Sequence, residues 1–208
     1  MPHERDSVAR ASMIPSELLV SAYSSGWFPM ALDGGEIRWY SPDPRGIIPL
    51  DQFHVPSRLA RLVRAGKFRV EVDRSFDAVI RACADTDRKD DDPGTWIDEE
   101  IFASYVELHR LGLAHSVETW QDGRLVGGLY GVALGGAFFG ESMFHRATDA
   151  SKVALAGLVA RLRAHGFLLL DVQWVTPHLE QFGAIEIRRS AYLKHLADAL
   201  AAPAQFRP

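Results

Sequence analysis

Three polar residues interrupt strongly apolar surroundings: Glu141 within 138–144, and Asp171 with Gln173 at the end of 168–173. Carboxylates in such places are costly to bury unless something pairs with them. A lone one is most often a turn cap or the partner of an arginine, and a cluster of three is harder to dismiss in that way. Residues 171 and 173 are two apart on an expected strand, so their side chains should share one face. The C-terminal end of a strand is a usual place for a site in α/β architectures. Carboxylates are residue types of acid–base work, and side-chain amides orient reacting groups.

The elements that must position these residues can be read from periodicity. Residues 15–25 read as a short helix closed by Gly26, and 27–49 as short strands and turns, broken by repeated Pro and Gly among Trp27, Phe28, Trp39 and Tyr40. A helix is expected at 57–65, a half-buried strand at 67–73 and a helix at 76–84. An acidic loop follows at 85–92 and a helix at 97–111. Strands at 114–120 and 124–130 flank Asp122-Gly123, whose residues both tolerate positive φ and so mark a hairpin. Gly135-Gly136 turns into the strand 137–144. A helix capped by Asp149 or Ser151 then runs to about 164, followed by an apolar strand at 168–173, buried on both faces, and a last helix. This order indicates an α+β or mixed α/β sheet with helices packed against it. The expected boundary falls near residue 66, separating a small N-terminal domain, 1–66, from a larger domain, 67–208.

The 208 residues are 47% hydrophobic and 24% charged, which suits one or two compact domains. A single cysteine, Cys83, excludes an internal disulfide, and no Cys/His spacing suggests a metal site. No apolar run approaches the roughly 20 residues needed to span a bilayer, so a cytoplasmic protein without membrane contact is expected. The net charge of −4 does not advertise a nucleic-acid partner. One basic segment stands apart from that balance: Arg58, Arg61, Arg64, Lys67 and Arg69, with Arg45 upstream. With Leu59, Leu62 and Val63 turned inward at helical spacing, Arg58, Arg61 and Arg64 should point outward together. Such a face is more often simply solvated than bound to phosphate.

Several ordered motifs carry a family resemblance. They are Phe28-Pro29, Trp39-Tyr40-Ser41-Pro42-Asp43-Pro44-Arg45, Gly94-Thr95-Trp96-Ile97, Ala114-His115-Ser116-Val117-Glu118, Val126-Gly127-Gly128-Leu129-Tyr130-Gly131, Gly140-Glu141-Ser142-Met143-Phe144, Ala150-Ser151-Lys152 and Asp171-Val172-Gln173. Through them the chain resembles the leucyl/phenylalanyl-tRNA protein transferases from about residue 15 to 196. The departures are Met30, where some members carry a second Trp, and Gln181-Phe182-Gly183-Ala184 with Arg188, in place of a more usual Ser-Leu-Gly-Ala and Pro.

The resemblance implies an acetyltransferase-like larger domain and a reaction without metal or dissociable cofactor. The α-amino group of an N-terminal Arg or Lys on an acceptor protein attacks the ester carbonyl of Leu-tRNA or Phe-tRNA, with Met as a further donor. A peptide bond forms and the acceptor is tagged for degradation under the N-end rule. Because the ester is already activated, holding amine and ester in register can supply up to roughly 7–11 kcal/mol. The resemblance places Asp171 and Gln173 at the amine, the carboxylate polarising the amide so that its oxygen takes the proton. An alternative division has Gln173 orient the amine while Asp171 and Glu141 stabilise positive charge. The donor side-chain pocket falls on Leu129, Phe138, Met143, Leu158 and Leu170, all of which are also plausible core. Trp96 is set to stack on the terminal adenosine or, more plainly, to anchor a helix start. Arg58, Arg61, Arg64 and Lys67 would meet tRNA, and a monomer is expected. Two rivals are an acyl-CoA N-acyltransferase and a non-catalytic tRNA-binding module. The first wants a Gly-rich loop at a helix N-terminus, whereas 145–149 holds no glycine and ends in Asp149. The second leaves Glu141, Asp171 and Gln173 unexplained.

Overall fold

The computed structural model describes residues 13–32, 34–86 and 96–206. The polar N-terminus 1–10 and positions 87–92 of the expected acidic loop lie outside the described residues. In chain order the elements are α1 (Ser16–Ser24), β1 (Phe28–Ala31), β2 (Ile37–Tyr40), β3 (Arg45–Ile48), a 3-10 turn (Leu50–Gln52), α2 (Ser57–Arg64), β4 (Arg69–Val72) and α3 (Phe76–Thr86). There follow α4 (Glu99–Arg110), β5 (Ala114–Gln121), β6 (Arg124–Leu134), β7 (Ala137–His145), α5 (Ala150–Ala164), β8 (Leu169–Gln173), α6 (Pro177–Glu180), β9 (Ile185–Ile187) and α7 (Arg189–Ala201).

Local chemistry explains most of these boundaries. Asp98 caps α4 by accepting a hydrogen bond from the Ile101 amide at 2.8 Å. Asp122 and Gly123 take φ of 51° and 74°, the hairpin geometry their types foretell. Asp149 precedes α5 as expected, but not as a cap. Its φ is 68°, it makes no capping hydrogen bond, and its carboxylate instead meets Lys152 at 3.0 Å and Arg58 at 3.3 Å. On α2, Leu59 is buried but Val63 is exposed, so the inward face is narrower than the spacing suggested.

Among the described residues β1 and β2 pair with each other, and the remaining strands form one sheet in the order β4-β5-β6-β7-β8-β3-β9. Its neighbours are antiparallel except β7 and β8, which run parallel. The architecture is therefore mixed α+β, with helices on both faces of a large sheet. Buried Leu155, Leu158, Val159 and Leu162 of α5 pack with Leu129 and Leu170 on one face, while Tyr105 of α4, Val79 and Ile80 of α3 and Tyr192 of α7 join the core on the other. Strand β3 lies on the N-terminal side of residue 66, yet it is hydrogen-bonded between β8 and β9. Its four residues are buried throughout, so it needs partners at both edges.

Candidate active site

The two parallel strands stay paired only as far as Phe139 opposite Asp171. Beyond that point both are bulged by their other neighbours. On β7 the register slips so that Gly131 faces Gly140 and Tyr130 faces Ser142, which leaves Glu141 as the extra residue. On β8 the register with β3 slips between Gly46 opposite Gln173 and Ile47 opposite Asp171, leaving Val172 extra. A bulge re-aims a side chain and ends pairing, and two of them here part the strand ends. Glycine stands opposite both. A Cβ on Gly131 would fall against the Phe139 carbonyl oxygen, and one on Gly46 would come within 2.8 Å of the Trp174 carbonyl carbon.

Between the parted ends lies a cavity of about 390 Å³, within the roughly 300–1,000 Å³ range of small-ligand sites. Leu129, Met143, Leu155, Leu158, Leu170 and Leu179 give it apolar walls, and Met30, Trp96 and Trp174 add to them. Its polar lining includes Glu141, Gln173 and His178. Trp96, Leu129, Met143, Leu158 and Leu170 all line this one cavity. Phe138 does not line the cavity; it is fully buried in the core and packs on Phe206, with ring centroids 5.4 Å apart.

Asp171 and Gln173 do not share a face. Gln173 takes φ of 59°, which breaks the strand period of two. Gln173 lines the cavity and Asp171 is sealed on the other side. The buried Arg45 grips both Asp171 oxygens, Nε to Oδ1 at 2.9 Å and Nη2 to Oδ2 at 2.7 Å, and donates through Nη1 to the Gly26 carbonyl at 2.9 Å. Tyr192 donates to Oδ2 at 2.7 Å, and the Gln173 amide to Oδ1 at 2.9 Å. The Arg45 guanidinium lies over the Phe28 and Tyr192 rings, 5.0 and 4.5 Å from their centroids. Burial, followed by the Asp171 charge, pushes the Tyr192 hydroxyl far above its ordinary range, so it acts as a neutral donor. Asp171 therefore fixes the backbone of Gln173 and does not face the cavity. Arg45 is not an outlier of the basic segment but the counter-ion of this carboxylate.

Glu141 is held differently. The Tyr23 hydroxyl donates to one of its oxygens at 2.8 Å, the Tyr105 hydroxyl lies 3.2 Å from the other, and the two hydroxyls also contact each other. No cation contacts it among the described residues. Burial pushes its carboxyl up to about 8, outweighing the tyrosine hydrogen bonds that act to lower it. The same burial, with the Glu141 charge, pushes both tyrosine hydroxyls up. A second buried acid, Glu118, accepts from the Ser75 amide at 2.6 Å, the Ser116 hydroxyl at 3.0 Å and the Trp120 indole at 2.9 Å, and does not line the cavity.

Arg58, Arg61, Arg64 and Lys67 are exposed. Arg58, Arg61 and Lys67 border a separate cleft with Thr148 and Asp149, and Arg64 lies outside that cleft. The sequence reading did not single out Tyr23, Tyr105, Tyr192, Trp174 or His178 as site residues. Arg45 alone had a signal, its place at the end of the quoted 39–45 motif.

A family model described as leucyl/phenylalanyl-tRNA protein transferase matches residues 47–197, and one described as the N-terminal domain of that transferase matches 13–43. A leucyl/phenylalanyl-tRNA protein transferase from Paramagnetospirillum magneticum is 59% identical over 195 residues, covering 93% of this chain and 92% of the relative. One from Gloeobacter violaceus is 54% identical over 192 residues, covering 92% and 96%. Among solved structures, that of L-PGS from Bacillus licheniformis is 14% identical, covering 79% of this chain and 55% of that one with a TM-score of 0.40, a likeness too slight to bear on fold or activity.

Proposed function

The chain belongs to the leucyl/phenylalanyl-tRNA protein transferase family, and from that premise we propose that the cavity between β7 and β8 receives the Leu or Phe side chain of an aminoacyl-tRNA. The ester is presented there to the α-amino group of an acceptor protein beginning with Arg or Lys. Met enters the same cavity as a further donor, and the product is tagged for degradation. The observation that carries this reading is an apolar cavity that opens where the two parallel strands part, with Glu141 and Gln173 in its wall.

Peptide-bond formation from an ester asks chiefly for register between nucleophile and carbonyl. Leu129, Met143, Leu158 and Leu170 hold the donor side chain, and unbranched Met143 accommodates either shape. Phe138 supports that wall from behind. Trp96 stacks on the terminal adenosine, a contact worth roughly 1–3 kcal/mol where it forms. Gln173 orients the attacking amine, and Asp171, acting through the Gln173 backbone, positions it. Glu141 stabilises positive charge on the amine and on the acceptor side chain, the arriving cation favouring its ionised form against the burial that holds its carboxyl up at about 8. Arg58, Arg61, Arg64 and Lys67 meet tRNA phosphates along the outer face of α2. The enzyme works as a monomer in the cytoplasm. Among the described residues no helix is long and apolar enough to cross a membrane.

The proposed division into a small N-terminal domain, 1–66, and a larger acetyltransferase-like domain, 67–208, has the separate β1–β2 pair on its side, while β3, inside 1–66, is built into the larger sheet. An acyl-CoA donor is disfavoured by the entrance to α5, where residues 145–149 hold no glycine and the Asp149 carboxylate adds negative charge beside the helix start. The test is transfer of labelled Leu from Leu-tRNA to a peptide beginning with Arg, with acetyl-CoA as the control donor. Label on the peptide from Leu-tRNA is expected; transfer from acetyl-CoA alone would overturn the reading.

A further inference from the structure

The Glu141 oxygens in the cavity wall are engaged by tyrosine hydroxyls. Two nitrogens in the same wall are not engaged. Gln173 Nε2 and His178 Nε2 are both buried without a hydrogen-bond partner among the described residues, and both residues line the cavity. An unmet buried polar group costs about 1–3 kcal/mol, and here two belong to residues that line one largely apolar cavity. What such a space lacks is an oxygen that accepts.

Both residues are held from outside the cavity. Gln173 is fixed by its positive φ and by the hydrogen bond its backbone N–H donates to Asp171 Oδ1. His178 follows Pro177 at the start of α6, and its ring meets Phe182 edge-on with centroids 5.7 Å apart. Burial, then the charges of Lys152 on α5 and His145 at the end of β7, holds its imidazole below the ordinary histidine range. A neutral ring donates one N–H without repelling a cationic acceptor.

We propose that the side-chain N–H groups of Gln173 and His178 form the oxyanion pocket of the transfer, receiving the ester carbonyl oxygen and the negative charge it gains on attack. The inference rests on the aminoacyl-transfer reading above. As the amine nitrogen bonds to the carbonyl carbon, the C=O π pair moves onto oxygen between the two donors. On collapse that pair returns, the bond to the ribose oxygen breaks, and the proton lost by the amine ends on that oxygen. The Gln173 amide serves both partners, accepting from the amine through Oε1 and donating through Nε2. His178 must carry its proton on Nε2. Donors placed at the developing oxyanion act on the transition state and not on donor binding.

The experiment compares His178→Leu and His178→Gln with the unaltered protein, each checked for a cooperative melt. Single-turnover transfer at saturating Leu-tRNA should fall about 100- to 1,000-fold in His178→Leu, the scale of losing one oxyanion donor. His178→Gln, which keeps an N–H, should recover part of the loss. Affinity for Leu-tRNA should stay the same, while affinity for a phosphonate analogue of leucyl-adenosine, whose tetrahedral anion mimics the intermediate, should fall in step with the rate. A His178→Leu rate within threefold of the unaltered protein would sink the assignment. So would equal losses for Leu-tRNA and phosphonate, or the disappearance of an acidic limb from the pH profile, which would make the imidazole a proton acceptor. No transfer by the unaltered protein refutes the functional reading itself, whereas intact transfer with indifferent variants refutes the oxyanion pocket alone.

Discussion

Arg45 and Arg64 carry the same guanidinium in opposite settings. Arg45 is wholly buried, bidentate to Asp171 and flanked by two aromatic rings, whereas Arg64 ends α2 in solvent. In the interior, water cannot replace a lost partner, so geometry is enforced and each group has one arrangement. On the surface, solvent screens the charge and a single replacement is tolerated. The sheet interior thus supplies precision for the chemistry, and α2 supplies attraction that many arrangements would satisfy.

The most forceful way to break that contrast is to empty one half of the buried pair. Asp171→Asn keeps the shape but leaves Arg45 without a counter-charge, and unfolding stability should drop by about 3–5 kcal/mol. In protein that remains folded, single-turnover transfer should fall about tenfold to a hundredfold, with Leu-tRNA affinity unchanged, because the Gln173 amide loses a charged acceptor. Full transfer by a folded Asp171→Asn would reduce this carboxylate to a structural tie.

Glu141 sharpens the contrast, because it is a buried acid that no cation contacts among the described residues. Its folded-state pKa of about 8 lies above the ordinary 4.5, so the native state binds the extra proton. Stability from this group is complete below about pH 4.5 and is lost as pH rises towards 8. Denaturant titrations across that window should show the decline, and Glu141→Gln should flatten it. An identical decline in the Gln variant would assign the pH dependence to other groups.

Smaller effects are expected where only cavity volume changes. Met143→Ala and, separately, Leu129→Phe should shift the Leu-tRNA to Phe-tRNA preference by a graded amount, since one methylene in such a pocket is worth roughly 1–3 kcal/mol. Equal losses with both donors would signal a folding defect. The smallest change belongs to the surface. Arg61→Gln or Arg64→Gln should weaken tRNA binding only a few-fold and lower the log–log salt slope by about 0.7–0.9 per lost phosphate contact. A surface variant as damaging as Asp171→Asn would erase the distinction between the two regions.

Local rules settled much of this molecule before any packing was known. Alternation and helical spacing located most of the helices and strands, and Asp122-Gly123 fixed its hairpin, because side-chain type and period are properties of neighbouring residues. The ordered motifs carried the family. Packing between distant segments decided the rest. No local pattern says that Arg45 crosses 126 positions of sequence to Asp171, or that Tyr23 and Tyr105 meet over Glu141. Nor does one say that β3 enters the sheet between β8 and β9. The failed expectation that Asp171 and Gln173 share a face has the same origin. A period of two holds only while the ladder is regular, and the bulge at Val172 is imposed by Gly46 on a strand remote in sequence. Phe138 was misplaced for a related reason: an apolar side chain one residue from the cavity wall and one within it look alike until the opposing Phe206 is known. Sequence determined which residues are apolar, paired or able to turn, and tertiary structure decided which of them face the same empty space.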